Sequence, residues 1–178
     1  MRFIGMWRYQ SSILIILFLL NVGVRAETRI AVLEFELNDL TLAPRVPSEI
    51  ERTSSIKPLL EAELKSAGYV IVNIDHKSQA DSNAGVGYLF DHHDAAAKLG
   101  KEFNVDYVLV GRLHKPSFLF AYLMGHLVRV NDARLMGNLI SEAKGSSQKL
   151  TIKTVESLAV KIDKILDNSY TPPSPVKN

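Results

Sequence analysis

The stretch Asp91-His92-His93-Asp94 sets two of the chain's five histidines between two carboxylates. An imidazole can ligate a metal or carry a proton near neutral pH, and a carboxylate can orient it or complete a ligand set. His93 and Asp94, with His92 or the distant His76, are the candidate metal ligands if the chain between them folds back. Helical geometry argues against convergence. On a helix His92 lines up with Ala96, Leu99 and Phe103, while His93 points roughly one-third of a turn away. Asp91 instead suits an N-cap, and Asp94 suits the third helical position, where a carboxylate complements the positive helix end. Capping requires no cofactor, and it is the reading the residues favour.

Other catalytic patterns are missing from the sequence. It has no HExxH and no GxSxG, "GVGYLFD" is not a phosphate-binding strand–glycine loop–helix fingerprint, and "VLVGRL" carries a single glycine. Glu34, Glu36 and Asp39 are scattered carboxylates for which a strand rim is sufficient explanation. His114 and His126 fall on or beside strands, at packing or edge positions. An enzyme would need His92 or His93 to meet Asp75, Asp91 or Glu34 within hydrogen-bond reach.

The segment "RLHKPSFLFAYLMGHLVRV" is better suited to binding than to catalysis. In an extended chain Phe118, Phe120 and Tyr122 share one face, and Leu119, Ala121 and Leu123 share the other. The aromatic face either packs beneath a helix, which the sequence favours, or meets a protein partner framed by Arg112 and Lys115.

The elements that must position these residues follow from the apolar pattern. "TRIAVLEFEL" is dense enough in apolar residues for an inner strand. A proline-marked connection leads to a helix predicted from near Ser55, with Ile56, Leu59, Leu60 and Leu64 at helical spacing and Gly68 at its end. "YVIVNI" is a second strand, and "DHKSQADSNAGVG" reads as a polar loop. The helix opened by Asp91 runs to about Phe103 and feeds the strand "VDYVLVGRL". Residues 118–132 and 134–143 form a hairpin turning at Asn131-Asp132-Ala133. A last helix from about Thr154 to Leu166 carries Val155, Leu158, Ala159 and Ile162 on one face. The order β-α-β-α-β-β-β-α predicts an α/β chain, bordering on α+β, with one mixed sheet and flanking helices.

The chain's ends set its compartment. Arg2 and Arg8 flank the apolar run Ile13 to Leu20, and Val24-Arg25-Ala26 follows, which is the layout of a secretory signal with cleavage expected after Ala26. The run is too short to span a bilayer, so no stable transmembrane span is expected after cleavage. Residues 27–168 then form one domain, and 169–178 a loose proline-rich tail. Losing three arginines with the leader turns the formal charge from +2 to −1, which leaves no electrostatic case for nucleic acid. The absence of cysteine removes disulfides and every thiolate site.

"AVLEFEL" at 31–37, "AAKLG" at 96–100 with "VDYVLVG" at 105–111, and "KPS" at 115–117 together resemble a DUF2380/DUF3280-like family of secreted bacterial proteins. Ala96, Leu99, Gly100, Asp106, Lys115 and Ser117 match its pattern, over roughly residues 29–166. The element order is similar, more distantly, to the N-terminal domain of TolB and to CsgG-like envelope domains. The resemblance implies export and an α/β fold, with no catalytic residues to transfer. Some relatives carry cysteines near the start of the helix that feeds "VDYVLVG", and this chain has none. These readings lead to a non-enzymatic periplasmic accessory protein that binds another envelope protein and needs no cofactor. A periplasmic small-ligand or metal-binding protein using the 76–94 region is the alternative, and an enzyme with an unrecognised site is the third.

Overall fold

Ile30, Ala31, Val32 and Leu33 are fully buried because their strand lies inside a sheet covered on both faces. The computed structural model describes residues 27–166; the expected leader (1–26) and tail (169–178) lie outside the described residues. The predicted first strand is two strands, β1 (Arg29–Val32) and β2 (Glu36–Asp39), separated by a break at residues 33–35. Both pair in parallel with β4 (Tyr107–Lys115), β1 at its beginning and β2 at its end. β3 (Val70–Ile71) lies on the other side of β1, and β4 continues antiparallel into β5 (Phe120–Arg129) and β6 (Arg134–Lys144). The β5–β6 turn falls at residues 130–133, as the sequence predicts, with Ala133 at positive φ.

The helices divide between the two faces. α1 (Pro47–Ser66) and α5 (Gln148–Leu166) cover one face through Ile56, Leu60, Leu64, Val155, Leu158 and Ile162, packed on Val32, Leu109, Leu113, Leu123 and Leu127. Each such buried aliphatic side chain contributes roughly 1.5–3 kcal/mol. On the other face, α3 (Tyr88–Asp91) and α4 (His93–Glu102) sit over Ala31, Leu33, Val108 and Val110, while α2 (His76–Asp81) turns its buried Gln79 to the backbone of Glu34. No described helix is long and apolar enough to cross a membrane. The sheet is mixed, with helices on both sides, and the α/β reading holds.

Three boundaries differ from the sequence reading. α1 begins at Pro47, well before Ser55, because proline is suited to the first helical turn. Pro58 lies inside it on the exposed side. Gly68, at φ 92°, ends the helix as expected. The supposed loop after Asp75 contains α2, whose N-cap is Asp75 itself, accepting from Ser78 N–H at 2.9 Å. Its side chain also bonds the Ser78 hydroxyl, and these two contacts hold the exposed carboxyl below its ordinary range. α5 starts at Gln148, a turn and a half before Thr154.

Candidate functional site

The Asp91-to-Asp94 stretch is built differently from its sequence expectation. Gly87, at φ 82°, starts the single turn α3, which buries Leu89 and Phe90. Asp91 is therefore the last residue of that turn and not the cap of the next helix. The chain breaks at His92 (φ −115°), the N-cap of α4, which has no side-chain capping bond. Asp94 is then the second helical residue, still inside the acidic first turn.

The two adjacent imidazoles diverge as helical geometry predicts. His92 is exposed and rests on the Tyr88 ring, 4.3 Å between centroids. His93 turns toward the sheet, where its Nε2 lies 3.1 Å from Nδ1 of His126 on β5. His76 is exposed on α2, and Asp94 is exposed on the far side of α4. Among the described residues no three His, Asp or Glu side chains converge on a point where a metal could sit. The four candidate ligands are not brought together.

The cluster that does form joins residues far apart in sequence. The Arg112 guanidinium lies 3.7 Å over the Phe90 ring, whose other contact is a 3.8 Å stack on His126. Nδ1 of His126 donates to the Phe90 carbonyl at 2.8 Å, which leaves the His93 nitrogen as a second acceptor for the same proton. Arg112 Nη2 is 3.7 Å from Asp91, while its Nε and Nη2 are buried without a hydrogen bond among the described residues. Arg112 thus belongs to this histidine–aromatic stack and does not frame the hairpin surface. The reason is strand alternation: Val108, Val110 and Arg112 face the α3–α4 side together. Sequence reasoning missed His126 as a partner because no local spacing links it to Phe90 or His93.

The stack has a titration consequence. Burial holds His126 below its ordinary value of 6.5, aided by the charges of His93 and Arg112 and opposed by the Phe90 carbonyl and Asp91. The unfolded chain therefore binds this proton more readily than the folded one. Stability is full above about pH 6.5 and is lost as pH falls toward the lower folded value. Urea unfolding at neutral and mildly acidic pH should show this loss, and His126→Gln, which keeps a donor for Phe90, should flatten it. An equal slope in the variant would assign the effect elsewhere.

Lys115 also departs from the surface role expected for it. It is 7% exposed, and its Nζ bonds Glu49 at 2.9 Å. Glu49 also holds Arg52 at 3.3 Å, and Arg52 Nε donates to Thr151 on α5 at 3.0 Å. This buried network ties the end of β4 to α1 and α5.

The aromatic face is open, contrary to the core packing that the sequence favours. Ala121 and Leu123 enter the core beneath α1 and α5. Phe118, Leu119 and Phe120 are 63%, 71% and 41% exposed. Tyr122 is half-buried and stacks on His114, centroids 6.4 Å apart. α3 and α4 cover β5 only as far as His126 and Met124, so among the described residues no helix covers the far half of this face. Exposed Ile140 and Glu142 of β6 continue the same open area, in register with Met124 and Tyr122.

The sequence model of a protein of unknown function (DUF2380) matches residues 28–162. The chain belongs to this family. No curated protein matches it in sequence. Solved structures share the fold at low identity, among them the following three. PelC from Paraburkholderia phytofirmans, a dodecamer, is 14% identical at a TM-score of 0.51 over 81% of this chain and 90% of that one. Lipoprotein GNA1162 from Neisseria meningitidis is 16% identical at 0.51, over 78% and 99%. TolB from Acinetobacter baumannii is 14% identical at 0.50, and the match covers 80% of this chain but 29% of that protein. At these identities the likeness is one of fold.

Proposed function

We propose that this family member is a non-enzymatic periplasmic accessory protein that works by binding another protein of the envelope. The observation that carries this reading is the uncovered aromatic end of the sheet, where Phe118, Leu119 and Phe120 stand exposed beside Tyr122 and Ile140. Large apolar side chains grouped at one end of a domain fit a docking surface better than a solvated one. The fold shared with PelC, GNA1162 and TolB supports the compartment, as does the leader with cleavage after Ala26. In this reading residues 27–168 are the working domain and 169–178 a tail. The surface is Phe118, Phe120 and Tyr122, with the Lys115 ammonium 5.7 Å from the Phe118 ring; Arg112, turned into the histidine–aromatic stack, is not part of it.

Phe118→Ser with Phe120→Ser tests the reading. Both side chains are exposed, so unfolding free energy should change by less than about 0.5 kcal/mol. A photo-crosslinker placed at Leu119 in the exported chain should capture one specific envelope protein, and the double substitution should abolish the capture. Recovery of the protein only as an uncrosslinked monomer would count decisively against it.

A further inference from the structure

The row of backbone beside β1 and β2 is filled for only part of its length. β3 occupies it next to Arg29 and Ile30. At Glu34 the carboxamide of buried Gln79 replaces a strand, accepting from Glu34 N–H at 2.8 Å and donating to its carbonyl at 3.1 Å. Beyond Gln79 no described residue fills the row. Leu40 N–H bonds the Lys115 carbonyl, so in this parallel ladder Glu36, Asn38 and Leu40 turn their backbone groups to β4. The N–H and C=O of Leu37 face outward, and no described residue bonds them.

This edge forms the floor of a groove of ≈ 310 Å³, walled by Ile50, Thr53 and Ser54 of α1 and by Asn83 and Val86 of the loop before α3. Ile50 and Val86 are 46% and 89% exposed. The carboxylates in the groove are already engaged: Glu34 with Lys57 at 3.3 Å, and Glu36 with Gly87 N–H at 2.8 Å. The Arg45 guanidinium on the rim has no carboxylate partner among the described residues.

We infer that this groove binds an extended segment of a protein partner, which adds as a strand along β2, presents apolar side chains to Ile50 and Val86, and places a carboxylate against Arg45. This is strand addition: backbone bonds supply affinity and alternate side chains supply selectivity. Gln79 shows that the same row accepts a hydrogen-bonding group in strand position. The inference deepens the protein-binding reading and rests on it, with Leu40 joining the groove to the aromatic end through its bond to Lys115.

The test uses the exported protein and a peptide selected on it from a phage-displayed library of random linear peptides. Selected peptides should share alternating apolar residues and an acidic residue. N-methylation of the amide that meets Leu37 should weaken binding about tenfold, with little effect at the neighbouring, outward-facing amide. Bound peptide should slow hydrogen exchange at the Leu37 amide. Ile50→Asp and Arg45→Glu, both at exposed positions, should each reduce affinity by roughly tenfold while the unfolding midpoint holds. Indifference to the phase of N-methylation, or exchange protection only outside the groove, overturns the inference. Leu37 protection that rises with protein concentration without peptide also overturns it, by assigning the groove to a second copy. A partner captured at Leu119 with the groove silent removes this inference alone; silence at both surfaces removes the protein-binding reading too.

Discussion

Lys115→Met is expected to lower the unfolding free energy by about 3–5 kcal/mol, because it breaks a buried ion pair and leaves charge behind. Glu49 would keep its burial, 3% exposed, with Arg52 as its remaining partner at 3.3 Å. Glu49→Gln should be as damaging, since it strands two buried cations. In a domain of this size either change should depress the thermal midpoint by on the order of 10 °C. Added salt should leave the loss largely intact, because buried pairs are poorly screened. The comparison that decides is with Lys144, an exposed lysine on β6 in register with Phe120. Lys144→Met should fall within about 0.5 kcal/mol of the parent. If Lys115→Met does the same, the network contributes nothing, and Lys115 returns to the surface role its sequence context suggested.

That contrast shows where the sequence was readable. Strand and helix order followed from apolar spacing: Leu60 and Leu64 on α1, Leu158 and Ile162 on α5, and the dense run at Val108 to Val110 each recur with the period of their element. The divergence of His92 and His93 was also legible, because it depends only on helical geometry. The cap was not. Asp91 carries the right side chain, but Gly87 starts a turn one step earlier, and burial of Leu89 and Phe90 makes that turn worthwhile. Asp75, a cap with the same chemistry, was overlooked because the six-residue helix behind it has too few apolar positions to show a period. Lys115 and Arg112 have no local signature of burial, since their partners Glu49, Phe90 and Asp91 come from other elements. The aromatic strand face was legible as a face, but whether a helix covers it depends on where α3 and α4 end. The groove beside β2 was invisible for a related reason: the break at residues 33–35 and the role of Gln79 are long-range hydrogen-bond facts.

Gly111→Ala is the second large expected effect, and it reaches the groove as well as the core. Gly111 lies between Leu109 and Leu113 on the face packed by α1, directly opposite Gly125 on β5. A β-carbon there would stand 2.1 Å from Cε1 and 2.4 Å from Cζ of Phe35, with Cδ1 at 2.5 Å. Three atoms of a rigid ring cannot yield as one flexible chain end would, so the whole ring must shift. Overpacking of this kind costs up to about 3 kcal/mol. Phe35 also lines the β2 groove, which gives the displaced ring its open side. Gly111→Ala should therefore reduce both stability and peptide binding along β2. Phe35→Leu alone should cost about 1 kcal/mol, and in the Gly111→Ala background it should restore part of what the alanine removes. A double-mutant cycle in urea measures this coupling, which contact between the two sites requires to be non-zero. Additive losses would mean that the ring of Phe35 does not occupy the space left by Gly111.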